Sequence, residues 1–470
     1  MGQKKIPMRG VSFISNIITL LVLSVALARD AEFYNDANLR TRYEGFYLQD
    51  GKPKNADNKE ENESTFTTRT QLALNMRRGE TIKARLMFQH NFTWGSDVDE
   101  PGSTTPTGTG DTYPYQPNGI RDAQNLFLVN EAWLWWKLNA ATSLRFGRGQ
   151  LKLGDGKVMS NNDFMNVPYA LDGAVLGWSG SNTHTDLFAM KIAEYTKTGT
   201  VKKDAEHNIY GFSLSFTHLP ESMKLVNIHI IQVQKDVLDT TLATGSTPDD
   251  RTNIFENALN YGRIGLSVAG ETKFDWHLSY AMNQGTIGRL NDAGGDLSWD
   301  GQMIDAEFGY KFERVLNSRI GVQFHRDSGD SRKSGQYGRY DGFLYDIHES
   351  AGAMDMIAFG NLTFIKGSLH FDAMEDLRIK FDAFRFGRTE TSDGVVAGPN
   401  GTLLFASQRG YLSNESAVAT EIDISAEHNY ENGLNMQARY SLLTPEAYLS
   451  ENSGPGSTVS QIYLQSRIQF

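Results

Sequence analysis

Period-two alternation of apolar and polar side chains is the feature that most constrains the fold of this chain. In residues 274–284 and 301–312, bulky apolar side chains lie on one face and polar or charged side chains on the other. Residues 419–430, 434–444 and 459–470 repeat the pattern. Such alternation is typical of β-strands that separate an apolar environment from an aqueous one. We therefore predict an all-β protein.

The N-terminus carries the features of an export signal. A cationic start is followed by a short apolar run over residues 11–23 and by the small-residue sequence ALA at 26–28. This order predicts a secretory signal peptide over residues 1–28, with cleavage after Ala28. No segment approaches the ~18 consecutive apolar residues that a helical membrane span needs. The remaining residues, 29–470, show no linker and no break in composition, so we expect a single domain.

The connections between the predicted strands alternate in length. About 18 strands can be assigned, and turns such as 77–80 and 139–142 are short, whereas loops such as 95–125 and 327–360 are long and polar. Outer-membrane β-barrels have short periplasmic turns and longer extracellular loops. A soluble β-sandwich has no reason to segregate its connections in this way. The sequence thus predicts a transmembrane antiparallel β-barrel in the outer membrane of a Gram-negative bacterium.

The C-terminal Phe470 ends the last predicted strand. A terminal phenylalanine preceded by alternate apolar residues resembles the tag that barrel-assembly machinery recognises, so we expect that machinery as a partner. Outer-membrane lipid and lipopolysaccharide are expected to contact the apolar strand faces. The net charge of −11 argues against nucleic acid as a partner.

The charged strand faces are expected to line the lumen. A charged side chain on the lipid face costs ~2–4 kcal/mol near mid-membrane, so several per strand cannot lie there. A barrel of this size leaves an aqueous channel unless loops fill it. Parity assigns the following residues, among others, to the lumen: Arg40, Arg42, Glu44, Arg69, Arg85, Glu131, Arg145, Lys191, Arg263, Arg319, Arg378, Glu421, Asp423, Arg439 and Arg467. The inward cations outnumber the inward anions, which favours the entry of anions.

Four short stretches resemble the alginate-export outer-membrane proteins. In chain order they are residues 39–44 (LRTRYE), 130–133 (NEAW) with 144–148 (LRFGR) and 154–157 (GDGK), 326–330 (RDSGD) and 419–423 (ATEID). The resemblance implies an export pore for an anionic, uronate-type polysaccharide, with an arginine-rich constriction gated by a long extracellular loop and a periplasmic turn. Carried over by position, it also places Arg148, with Arg40, Arg42, Glu44 and Arg145, in the lumen or at the constriction.

Other functions remain open from the residues alone. A general diffusion porin for small hydrophilic solutes, with mild ion selectivity, needs the same fold. Ser328, with Asp327, Asp330 and His325 nearby, could suggest a barrel-embedded hydrolase, but the sequence Ser-Gly-Asp is typical of a turn. The acid-rich loop 292–300 lacks a full calcium-ligand spacing. We therefore predict no enzymatic activity, no metal site and no cofactor.

Overall fold

The computed structural model describes most of the chain beyond residue 30. The described residues are 31–48, 63–94, 126–195, 205–235, 258–288, 296–340, 342, 344–346, 348, 350–398, 414–451 and 457–470. The predicted signal peptide over residues 1–28 and the first part of the acid-rich loop 292–300 lie outside these ranges.

Eighteen long strands occur in the described ranges, and we number them β1 to β18 in chain order. They are β1 Glu32–Leu48, β2 Glu63–Arg78, β3 Ile82–Trp94, β4 Leu126–Lys137, β5 Thr142–Gly149, β6 Leu171–Ser179, β7 Thr183–Tyr195, β8 Ala205–Phe216, β9 Met223–Lys235, β10 Leu259–Glu271, β11 Phe274–Ile287, β12 Leu297–Phe312, β13 Ser318–Asp327, β14 Leu362–Met374, β15 Leu377–Arg388, β16 Ala417–Asn429, β17 Leu434–Pro445 and β18 Val459–Gln469. Three two-residue strands, Gln336–Tyr337, Ile357–Ala358 and Val396–Ala397, and a short helix, Ala447–Glu451, lie in the connections.

The eighteen strands form one closed antiparallel barrel. Each strand pairs with its neighbours in sequence, and β1 closes the ring against β18 in a register that runs from Asn38 opposite Gln469 to Leu48 opposite Val459. Just beyond that register, Ala37 and Phe470 exchange backbone hydrogen bonds of 3.3 and 2.9 Å. The prediction of an outer-membrane-type barrel of about 18 strands is confirmed.

The strand bounds also confirm the alternation of short and long connections. Strand β10 ends at Glu271 and β11 begins at Phe274, whereas β3 ends at Trp94 and β4 begins only at Leu126. Because short turns are periplasmic in barrels of this type, the turn end of the barrel faces the periplasm and the loop end faces the exterior.

The two strand faces differ as the alternation predicts over the turn-end half of the barrel. Phe308, Ile422 and Ile424 point outward and are 59%, 47% and 43% exposed. Their inward neighbours Glu421 and Asp423 are almost completely buried. An apolar outer surface and a charged inner surface are what a barrel surrounded by lipid requires.

The inward face becomes apolar toward the loop end. There the side chains of Ile209 and Ile231 point into the barrel and pack against Leu153 and Met159 of the connection 150–170. A second cluster joins residues of the connection 328–361, such as Phe359 and Met354, to inward aromatic residues of β14 and β15. Loops therefore fill the loop-end half of the lumen.

Among the described residues, no helix has both the length and the apolar character that crossing a membrane would require.

Candidate functional site in the lumen

Residues 150–170, which connect β5 to β6, cross the lumen, and we call them the inner loop. On one side, the Val158 carbonyl accepts a hydrogen bond from Arg263 of β10 at 3.1 Å. On the other side, the Met165 carbonyl accepts one from Arg40 of β1 at 3.1 Å. Gly154 permits the close approach to the wall, because its φ is +56° and a Cβ would lie 2.6 Å from the Ser267 hydroxyl oxygen.

Four arginines surround residues 163–165, which we call the tip of the inner loop. These arginines, Arg40, Arg42, Arg69 and Arg467, are the arginine cluster. Backbone carbonyls of the tip accept hydrogen bonds from three of them. The Asp163 carbonyl accepts from Arg40 Nη1 at 2.9 Å and from Arg69 Nη1 at 2.8 Å. The Phe164 carbonyl accepts a hydrogen bond from Arg42 Nη2 at 2.7 Å.

The Asp163 carboxylate lies between two members of the cluster. One oxygen lies 3.0 Å from Arg69 Nη2, and the other lies 3.6 Å from Arg467 Nη1. Arginine binds carboxylates well because its planar fork offers parallel donors and is only weakly hydrated. The cluster therefore already holds a carboxylate in this structure.

Strand register brings the cluster together. Arg40 lies directly opposite Arg69 of β2 on one side and directly opposite Arg467 of β18 on the other. Arg40 is 3% exposed and Arg69 is 1% exposed. Like charges directly opposite each other across strands repel. Acceptor oxygens must compensate that repulsion, and the inner-loop tip supplies them.

An aromatic stack fixes the tip from the other side. The Phe164 ring lies between the Arg42 guanidinium, 3.7 Å from its centroid, and the His348 ring, 3.3 Å centroid to centroid. His348 belongs to the connection 328–361 and is held by Asp355 at 2.8 Å. Two loops from different parts of the chain thus meet over the arginine cluster.

A charged tether joins the inner loop to the wall near β11 and β12. The Asp155 carboxylate accepts hydrogen bonds from His277 and Ser279, both at 2.8 Å, and Lys157 forms an ion pair with Asp305. Burial alone would raise the pKa of Asp155, but the His277 hydrogen bond and the Lys157 charge outweigh it and hold the pKa at about 2. The tether is therefore ionised over the whole physiological range.

The other parity-assigned residues, apart from Lys191, also lie on the inward face. They are Glu44, Arg85, Glu131, Arg145, Arg263, Arg319, Arg378, Glu421, Asp423 and Arg439. Some pair with carboxylates of the wall. Arg85 lies 2.8 Å from Asp36 and 3.2 Å from Glu131, while Arg319 lies 2.9 Å from Asp275.

Other inward residues hold the loops instead. Arg145 donates to the Gln150 carbonyl at 3.1 Å, and Arg439 lies 3.3 Å from His348. The Glu421 carboxylate accepts from the Met354 backbone N–H at 3.0 Å. The lining of this barrel is therefore largely occupied by its own loops and carboxylates.

Two predicted lining residues lie on the outer face, and their assignment was wrong. Arg148 pairs with Asp172 at 2.6 Å, on the same face as the exposed Phe146. It stands three positions from the inward Arg145, and an odd spacing cannot keep both on one face of a strand. Lys191 points outward because the inward positions of β7 are apolar, including the buried Met190.

Ser328 has no geometry suited to a nucleophile. Its hydroxyl donates to the Gly338 carbonyl at 2.7 Å and accepts from the Gln302 backbone N–H at 2.9 Å. His325 lies between the carboxylates of Asp305 and Asp327, at 3.1 and 3.2 Å. These contacts tie Ser328 into the connection 328–361, where residues 328–330 are irregular and do not form the turn that the sequence predicts.

Several residues of the site were not predicted individually. Asp163 and Phe164 have no flanking motif, so no local signal identifies them. Asp155 and Lys157 lie within the GDGK stretch 154–157, which the family resemblance singled out without assigning a role. A loop residue that binds the opposite wall carries no strand parity, and only the fold places it.

A polar cavity of about 510 Å³ opens at the turn end of the lumen. It is lined by Glu271, Asp275, Lys311, Asn317, Arg319, His370 and Arg378. Within the described ranges, no group of three or more histidine or acidic side chains is arranged to hold a metal ion.

A closed barrel of eighteen described strands, with an apolar outer face and a charged, loop-filled lumen, is an outer-membrane channel of the porin class. Its location is therefore the outer membrane of a Gram-negative bacterium. The sequence model of the alginate export family matches residues 35–459, and the chain belongs to that family. No curated protein matches the sequence.

Solved structures show the same fold at low sequence identity. The chain is similar to Pseudomonas aeruginosa OccK2 (OpdF), solved in complex with glucuronate, with a TM-score of 0.57 at 9% identity over 93% of this chain and 98% of that one. It is similar to Pseudomonas aeruginosa OpdK, solved with vanillate, with a TM-score of 0.56 at 11% identity and the same two coverages. Acinetobacter baumannii OccAB2 gives a TM-score of 0.55 at 13% identity, again over 93% and 98%.

Proposed function

We propose that this barrel passes anionic, uronate-type saccharides across the outer membrane through an arginine-lined lumen. The observation that carries the proposal is the Asp163 carboxylate, held 3.0 Å from Arg69 and 3.6 Å from Arg467. A uronate presents the same carboxylate, surrounded by hydroxyl oxygens that can accept hydrogen bonds as the loop carbonyls do. Membership of the alginate export family and the glucuronate in the complex of a similar barrel also support it.

The inner loop and the solute compete for the same donors in this proposal. The tip covers the arginine cluster, so a saccharide can bind only where the tip moves aside. Each arginine that loses a loop carbonyl gains a uronate oxygen, so no guanidinium becomes an unpaired buried charge, which would be costly. The tip thereby stabilises the closed channel, and the bound saccharide replaces its contacts in the open channel.

A general diffusion porin is the alternative, and the paired wall residues favour it. Arg85 with Asp36 and Glu131, and Arg319 with Asp275 and Glu307, place two cations beside four carboxylates. Opposed charges of this kind produce a field across the lumen, and their excess of carboxylates does not favour anions.

Planar-bilayer recordings of the refolded protein separate these two functions. We expect anion preference in the wild type and block of the current by a polyuronate. The double variant Arg40→Ala/Arg42→Ala should lose most of the anion preference and need at least about tenfold more polyuronate for block, equivalent to ~1.4 kcal/mol. Arg148→Ala is the matched control, because it removes an arginine from the outer face. Weak selectivity with an unblocked wild-type current would reject saccharide passage in favour of the general porin.

Three further assignments belong to this proposal. We infer that residues 1–28 are removed on export, that residues 29–470 act as one barrel, and that Phe470 is read by barrel-assembly machinery. The hydroxyl contacts of Ser328 with Gly338 and Gln302 support a transport role without catalysis.

A further inference from the structure

A groove of about 820 Å³ runs along the outer face of the barrel over β13 to β16. We call it the outer groove. Its floor includes Gly367 and Ala383, and its sides include Phe324, Ile365 and Thr420. All five residues point outward. Each is paired across the strands with another of them or with an exposed residue such as Val322 or Ile422.

Small side chains create the groove. In one row across the strands, Val322, Gly367, Ala383 and Ile422 lie side by side. Val322 and Ile422 are 51% and 47% exposed, so the two positions between them form a depression in an otherwise bulky apolar surface. A Cβ placed on Gly367 would meet nothing within 4 Å, which shows that this part of the groove is open. The depression has the apolar character and shape that suit a hydrocarbon chain.

Two arginines stand at the loop end of the outer groove. Arg326 is exposed, and no acidic side chain in the described part of the chain pairs with it. The Arg385 side chain is 74% exposed and lies 3.4 Å from Glu446. Both arginines line the groove, together with Thr363 beside Arg326.

The arginines mark the outer edge of the apolar band. On the same face of β13, below Arg326, lie Phe324, Val322 and Ile320, which are all exposed and apolar. An outward arginine costs ~2–4 kcal/mol at the bilayer midplane but only ~0–1 near the interface. Arg326 and Arg385 therefore lie at the headgroup level of the leaflet that faces the cell exterior.

We propose that the outer groove binds the lipid A part of one lipopolysaccharide molecule. Arg326 and Arg385 bind a lipid A phosphate, because guanidinium groups donate charge-assisted hydrogen bonds to phosphate oxygens. One acyl chain lies over Gly367 and Ala383. Lipid A fits better than free phosphate, because the cations and the apolar depression belong to one groove. The exterior leaflet, which the loop end reaches, is made of lipopolysaccharide. The site is separate from the lumen and does not depend on which solute passes.

Lipid binding to the delipidated, refolded barrel tests this proposal. Native mass spectrometry and thermal unfolding would be followed while hexa-acylated lipid A is added. We expect one tight molecule per barrel and a raised Tm. Arg326→Ala/Arg385→Ala and Gly367→Trp should each weaken binding at least tenfold. Arg148→Ala, which removes another outward arginine, and Ala174→Trp, which enlarges another small outward residue, are the matched controls elsewhere on the outer face. Gly367→Leu provides a second, smaller filling of the groove should the tryptophan impair folding.

The ligand comparison fixes the chemistry. Dephosphorylated lipid A should bind at least tenfold more weakly, and inorganic phosphate should not displace lipid A. The proposal is overturned by equal binding to the arginine variant, by undiminished binding to both groove-filling variants, or by phosphatidylglycerol competing as well as lipid A. The last result would show a general anionic-lipid surface.

Discussion

Asp163 is the side chain on which the closed lumen most depends. Arg40 and Arg69 face each other across β1 and β2 and are almost fully buried. Two buried like charges would be strongly unfavourable without anionic partners. The Asp163 carboxylate and carbonyl are both in contact with Arg69, so one residue compensates much of this repulsion.

Asp163→Asn keeps the size of the side chain and its backbone carbonyl but removes the negative charge. The substitution should therefore loosen the tip. We expect larger single-channel conductance or longer open times, and stronger anion preference, because the cluster loses its only charged partner at the tip among the described contacts. Planar-bilayer recordings and reversal potentials measure both. Asp172→Asn is the control, since Asp172 pairs with Arg148 on the outer face. Unchanged conductance and selectivity would mean that the tip is held by Phe164 and backbone contacts alone.

The inner loop is an element without regular structure, yet it is tied to the wall at both ends of its path. One tie is the arginine cluster and the other is the tether of Asp155 and Lys157. Burial acts to lower the pKa of Lys157, but the charges of Asp305 and Asp155 outweigh it and raise the pKa above its ordinary value. Both partners thus remain charged when buried, which is what holds the loop against β11 and β12.

The tether predicts how the closed state responds to acid. Asp155 has a pKa lowered to about 2, so its contribution to stability is complete above the ordinary aspartate range and is lost only as the pH falls through about 2. The groups that face it are His277, Lys157, Ser267 and Ser279. We expect the loop to remain docked from pH 7 to pH 4, measured as constant wild-type conductance. Asp155→Asn should show raised conductance already at pH 7. Wild-type opening between pH 7 and 4 would contradict the assignment.

The apolar-out rule holds for a strand only over its lipid-facing length. Toward the loop end of β8 to β12, most inward positions are apolar, for example Ile231 and Trp299, while outward positions such as Gln234 and Asn260 are polar. The two faces exchange character there because loops fill the interior and water replaces lipid outside. This exchange explains why parity failed for Lys191 on the neighbouring β7.

The barrel as a whole depends on the difference between lipid and water on its two faces. Ile424 lies on the outer face beside Phe381 and Tyr440, and Gln437 lies on the inner face of the adjacent strand. Ile424→Arg should destabilise the folded barrel by ~2–4 kcal/mol if it lies near the bilayer midplane. Gln437→Arg, the matched control, should change stability little. Urea unfolding in lipid vesicles measures both, and equal effects would contradict the assignment of the two faces.

The sequence alone determined the eighteen-strand barrel, its alternation of turns and loops, and its closing strand at 459–470. Each of these follows from local contacts with lipid or water, which a side chain meets wherever its strand runs. The sequence also placed Arg40, Arg42, Arg69 and Arg467 on the inward faces of their strands.

Only the tertiary structure decided what those arginines bind. Arg40 contacts Met165 across 125 positions of the chain, and no strand periodicity can place a loop residue such as Asp163 or Phe164 against the opposite wall. The outer groove likewise needs Arg326, Gly367 and Arg385, which lie on three neighbouring strands. Contacts between distant segments depend on how the ring closes and which loops enter it, and so the occupants of the lumen were settled by the fold.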